Sequence, residues 1–162
     1  MGEQLKRINS SLTLALAARI VDGAIAARKK AKLLPLAVAV LDAGGNLVAF
    51  KREDGCGVMR FDIAFGKAFG ALGMGMSTRL IRDRLAQRPA FQGALAAASG
   101  GRFIPTPGGV LMLAKDGSAI GAIGISGDAS DKDEYCAIQA VHAAGCASEP
   151  AAPHPDWRAA GL

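Results

Sequence analysis

Apolar and polar positions alternate along this chain with two different periods. Leu12, Leu16, Ile20 and Ile25, with alanines filling the face between them, predict an amphipathic helix. It starts after Ser10 or Ser11 and runs to about Arg28. Residues 33–41 are a continuous apolar run with Pro35 near the start, where a missing N–H is tolerable, and predict a strand. DAGGN, residues 42–46, is a turn, and Leu47–Lys51 is the returning strand, so the chain opens helix–hairpin. A polar, glycine-rich loop over residues 52–57 leads to a helix, Phe61–Met74, rich in Ala, Gly and Phe. Ser77 reads as the cap of a charged helix, Thr78 to Gln87, which Pro89 stops; residues 91–99 form a short helical turn of small residues.

The stretch Arg102–His142 organises the remainder. A Pro/Gly approach loop leads into a strand at Val110–Ala114, a KDGS turn, and a second strand at Ala119–Ser126. Gly121, Gly124 and Gly127 do not make a dinucleotide fingerprint, because two of them lie within the strand. Their role is to leave room for another backbone, a side chain or a ligand. The following helix takes Ser130 as its expected N-cap, with Asp133 at the capping-box spacing. After Gly145 the periodicity stops. The tail, residues 146–162, carries Pro150, Pro153 and Pro155, and is expected to lie on the body or a neighbouring subunit with Trp157 packed on protein.

Composition narrows the class. The 162 residues suit one domain with a real core, expected over residues 1–145. The net charge of +5 gathers at residues 28–32 and 79–88 without interleaved aromatics, which argues against nucleic acid as a partner. The apolar run at residues 12–18 is too short for a signal peptide core followed by a span, so no membrane association is expected. Three cysteines, Cys56, Cys136 and Cys146, form no C-x-x-C pair and leave an odd one over, which points to a reduced, cytoplasmic setting.

Lys67 is the sole cation in a helix of small and apolar residues. It is either a base or anion anchor, or the partner of an acid such as Asp54, Asp62 or Asp133. Thr106, Pro107, Gly108 and Gly109 precede a strand, where consecutive glycines make either an anion nest or a tight strand entry. Convergence of Lys67 with this loop and with Asp131, Asp133 and Glu134 would build a pocket for a small organic acid. Asp133 or Glu134 would then transfer a proton, and Asp54 and Arg60 complete the ligand set. The spacing of Asp128, Asp131 and Asp133 fits neither an EF-hand nor a transition-metal site, and no triad, Walker loop or zinc spacing occurs.

The phrases AVAVLDAGGNLVAFKREDG, DIAFGKAFGAL, GGRFIPTPGGVLML and GAIGISGDASDKDEYCAIQAV resemble the GlcG/HbpS family over residues 10–145, and also the C-terminal domain of PduO-type corrinoid adenosyltransferases. The resemblance implies an α+β fold: a three-layer α/β/α sandwich of profilin-like topology around a five-stranded antiparallel sheet. The fifth strand would come from Arg102–Ile104 or from a division of residues 110–126. It also implies homo-oligomers, dimer to octamer, acting as accessory proteins beside catabolic operons and binding a small molecule or haem between subunits. The alternative is a small isomerase, lyase or hydrolase using Lys67 and Asp133 or Glu134. Haem enters through the resemblance only. The first helix lacks the histidine some relatives use, leaving His142, expected to pack beside Ile138 and Val141, and Met74 as axial candidates.

Overall fold

The computed structural model describes residues 4–162; the first three residues of the expected domain lie outside them. Helix α1 (Leu14–Ala31) leads into the hairpin β1 (Ala37–Asp42) and β2 (Leu47–Arg52). Helices α2 (Arg60–Met74), α3 (Thr78–Leu85) and α4 (Pro89–Ala98) follow, then the hairpin β3 (Gly109–Leu113) and β4 (Ala119–Ser126). Helix α5 (Ser130–Ala143) and strand β5 (Ala147–Glu149) close the chain before a final 3-10 turn at Trp157–Ala159. The sheet order is β2-β1-β4-β3-β5, antiparallel throughout.

Strand alternation sorts the two faces by side-chain size. Val38, Val40, Val110, Met112, Ile123 and Ile125 pack with α1 and α5 in the main core. The opposite face carries Ala37, Ala39, Leu41, Leu111 and Ala122, and α2 lies on it. Gly124 completes that smooth face: a Cβ there would stand 1.8 Å from the Ala64 carbonyl oxygen. Small residues therefore bring α2 almost onto the strand backbones, while branched residues fill the thicker layer beneath α1 and α5.

Several expectations are corrected. The fifth strand is neither Arg102–Ile104 nor a piece of residues 110–126; it is β5, drawn from the tail and paired with β3 at Leu111↔Glu149, Met112↔Ser148 and Leu113↔Ala147. A three-residue strand carries too little alternation to be read from pattern. Ser130 is the first helical residue of α5, not its cap. The cap position is Ala129, and Asp133 Oδ1 instead accepts the Asp128 N–H at 3.0 Å. Thr13 caps α1 through Leu16 N–H, while Ser11 Oγ accepts from Ala43 N–H. Pro89 is the first residue of α4, where its fixed φ and missing N–H do no harm, so the same proline that stops α3 starts the next helix.

The tail is clasped at three further points. Glu149 accepts from the Ser77 N–H and hydroxyl, and Arg79 donates to the Ala152 carbonyl at 2.9 Å. The Trp157 ring stacks on Tyr135 of α5 with centroids 3.7 Å apart and planes 9° from parallel. Trp157→Ala is expected to cost about 3 kcal/mol, the lower end for losing a buried tryptophan. Urea unfolding reads this directly, and an unchanged midpoint would mean the stack contributes no stability.

Candidate functional site

Lys67 lies in the middle of α2 and is 2% exposed. Its stem passes the start of β3 and reaches the first turn of α5 on the other side of the sheet. There Nζ donates to Ile125 O at 2.8 Å and to Asp133 Oδ2 at 3.0 Å. Gly108 and Gly109 make the passage: a Cβ on Gly108 would stand 3.0 Å from Lys67 Nζ, and one on Gly109 would stand 2.3 Å from the Lys67 carbonyl oxygen. Gly108 also takes φ +118, which favours glycine. The Gly109 N–H donates to Thr78 Oγ1 at 2.8 Å, so this amide of the expected nest is already used. Burial pushes the Asp133 carboxyl up to about 6 against the opposing pull of Lys67, leaving it ionised at neutral pH.

Beside this pair, where β4 ends, a cleft of about 210 Å³ is lined by Leu34, Pro35, residues 55–57, Arg60 and Gly127. Arg60, the first residue of α2, stands at its edge, half-buried, and donates to Ser126 Oγ at 3.2 Å. No carboxylate comes within ion-pair distance of Arg60 among the described residues. Cys56 lines the same cleft; burial raises its thiol pKa, outweighing the lowering by Arg60 and Arg52.

Asp54 is exposed and does not line the cleft. The acid held here is its neighbour Glu53, which accepts from Leu36 N–H at 3.0 Å and pairs with Arg28 at 3.2 Å. The Glu53 and Ser126 contacts leave no sign in the sequence, because nothing in their local context distinguishes them from exposed loop and strand residues.

The acids of α5 do not converge. Asp133 turns to Lys67, whereas the next residue, Glu134, lies about 100° around the helix and faces α3. Glu134 is fully buried and its carboxylate oxygens accept no hydrogen bond; Arg79 Nη1 lies 3.4 Å from Oε1. Asp131 is next to it and lies 3.9 Å from Arg82. Burial pushes Glu134 up to about 7, with Arg79 drawing it down and Asp131 adding to the rise. Thr106 and Pro107 belong to the loop that leads into the Gly108 passage.

His142 stands apart from both places. It is exposed rather than packed, because it follows buried Val141 and so turns away from the core. Ser148 Oγ donates to Pro150 O at 2.7 Å and therefore accepts from His142 Nε2 at 2.9 Å. Met74 lines an apolar groove of about 220 Å³ with Phe69, Leu95 and Phe103. Among the described residues no cluster of His, Cys, Asp or Glu could hold a metal ion, and no helix is long and apolar enough to cross a membrane.

Two outcomes follow from the buried charges. Lys67→Met strands Asp133 and is expected to cost about 3–5 kcal/mol in urea unfolding, most of it recovered by adding Asp133→Asn; a single variant as stable as the parent would contradict the pairing. Glu134 titrates near 4.5 when unfolded and near 7 when folded, so the folded chain holds the extra proton between those values. Stability is therefore present below that window and falls as pH rises through it. Glu134's share of the loss between about pH 5 and about pH 8 is on the order of 2 kcal/mol. Glu134→Gln should remove that share and leave the part due to Asp133, which burial also raises; an unchanged slope would assign the whole loss to other groups.

Known proteins share this architecture. The chain is 30% identical to a double mutant of Streptomyces reticuli HbpS, with TM-score 0.71, covering 88% of this chain and 92% of that one. The PduOC–haem complex superposes with TM-score 0.74 at 24% identity, covering 83% and 96%, a likeness of fold. A 15.0 kDa protein from the dhaT–dhaS intergenic region of Citrobacter freundii is 29% identical over 132 residues, covering 82% of this chain and 91% of its own. Residues 12–142 match the family described as haem degrading protein HbpS-like, and the chain belongs to that family.

Proposed function

We propose that this protein is an oligomeric binding protein of the HbpS-like family, accessory to other catabolic functions, that captures a carboxylate-bearing molecule at the Arg60 cleft. The observation that carries this reading is the unpaired, half-buried guanidinium of Arg60 at a glycine-walled opening. A guanidinium fixed by one hydrogen bond keeps its other donors for a bidentate carboxylate. Binding is favoured over catalysis because Lys67, Asp133 and Glu134 are 2%, 1% and 0% exposed, and a catalytic group must touch its substrate. The rim favours a pocket between subunits: Leu34, Val58 and Met59 are exposed apolar residues on or beside the cleft, a surface suited to a second copy.

Small organic acids and haem share the carboxylate. Within one copy the residues do not fit haem, for the cleft is smaller than the roughly 300 Å³ at which pockets for drug-sized ligands begin, and no imidazole lines it. Haem is supported by the family and by the PduOC–haem complex. Haem would need a neighbouring copy to complete the pocket, and Arg60 is the residue of this chain that could hold one of its carboxylates. Bound haem would supply iron chemistry; this chain's own contribution is the guanidinium and the glycine wall.

Titration with haem and with a series of small mono- and dicarboxylates separates the two. Saturable binding that weakens roughly tenfold or more in Arg60→Gln is expected, the value of a charge-assisted hydrogen bond. A saturable Soret band that weakens in Arg60→Gln would select haem, and binding of a small acid without such a band would select the acid. Uptake indifferent to Arg60 would overturn the reading.

A further inference from the structure

Along α2, starting at the residue after Arg60, another opening of about 310 Å³ is lined by Phe61, Asp62, Phe65, Gly100, Gly101 and Arg102. Phe61, Phe65 and Phe69 recur every four residues along α2, with centroids 5.9 and 6.0 Å apart, and Phe50 meets Phe61 edge-on at 4.8 Å. All four rings are only half-buried in a chain with few aromatics. Opposite them the wall has no side chains. Gly100 and Gly101 take φ +63 and +81, and a Cβ on either would meet nothing within 4 Å.

Two opposite charges stand on this opening without neutralising each other. Arg102 is immobilised: its guanidinium lies 4.3 Å from the Phe69 centroid and Nε donates to Ser99 O at 2.9 Å. Its terminal nitrogens remain, and among the described residues no carboxylate pairs with them. Asp62 is exposed and, among the described residues, has no ion-pair partner. The start of α2 explains an acid at this position. It does not explain why that acid, a pinned cation, an aromatic ladder and a bare glycine wall border one opening.

From this we infer that the opening is a binding site for a flat aromatic acid that also carries an N–H or O–H donor, of the aminobenzoate or hydroxybenzoate class. The ring lies between Phe61/Phe65 and the diglycine backbone, where an aromatic pair gains from offset stacking. The carboxylate takes the Arg102 terminal nitrogens, and the donor reaches Asp62. The volume falls within the range of small-molecule sites. This ligand is additional to the one proposed for Arg60 and does not depend on it.

The test is calorimetric titration of the whole protein with benzoate, aniline, and the ortho, meta and para aminobenzoates. One aminobenzoate isomer is expected to bind roughly tenfold tighter than benzoate or aniline, the contribution of one further hydrogen bond to a charged group. Arg102→Gln should weaken it by roughly tenfold or more, and Asp62→Asn should reduce it to the level of benzoate. Both positions are exposed, so the fold is retained, as circular dichroism can verify. A second readout uses the unmodified chain: the bound ring should shift the aromatic proton resonances of Phe61 and Phe65. Absence of aminobenzoate binding, indifference to both substitutions, or shifts elsewhere would overturn the inference. So would loss of binding in Arg60→Gln but not in Arg102→Gln, because that places the ligand in the other cleft.

Discussion

The molecule turns on one ion pair that joins its two helical layers past the start of β3. Lys67 starts on the α2 side and ends on Asp133 at the start of α5, so the layers are tied by a charged contact rather than by apolar packing alone. A buried charge pair of this kind adds little net stability, but removing one partner is severe. What it fixes is position. The Ile125 carbonyl, the Asp128 amide and the Gly108–Gly109 approach are all located by the same few atoms. The Arg60 cleft opens directly beside them, and its Gly127 wall is set by the turn that Asp133 holds.

That arrangement divides the polar groups into those that hold and those that face outward. Glu53 and Asp128 accept backbone N–H groups from other segments, and Asp133 accepts one from the turn before its own helix, so all three fasten loops to the frame. Arg60 and Arg102 are each steadied by a single hydrogen bond and retain donors. Glu134 belongs to neither group. It is enclosed with Arg79 nearby but in no hydrogen-bonding geometry, a buried carboxyl whose proton the fold retains near neutrality.

Much of the architecture was legible in the sequence because it rests on periodicity. The α1 stripe, the 33–41 run and the two glycine-turn hairpins each carry a local signal, and the motif resemblance supplied the strand count. What could not be read depended on contacts distant in sequence. β5 is too short to show alternation and exists because β3 offers a partner. At the site, Lys67 was conspicuous for its isolation among small residues, and Asp133 was one of several candidate acids for it. Adjacent acids on α5 look equivalent in sequence, yet a rotation of about 100° sends one to Lys67 and the other to α3. Gly108 and Gly109 suggested an anion nest; the atoms they make room for belong to the protein itself.

The placement of β5 bears on how the chain is made. β3 lies beside the edge of the sheet, and its outer hydrogen-bonding groups are met only by residues 147–149. On the ribosome those residues emerge after all the other strands. Until then the nascent domain presents an unpaired, apolar strand of the kind that other chains can join. The arrival of residues 147–149 is therefore the moment at which that edge ceases to be adhesive.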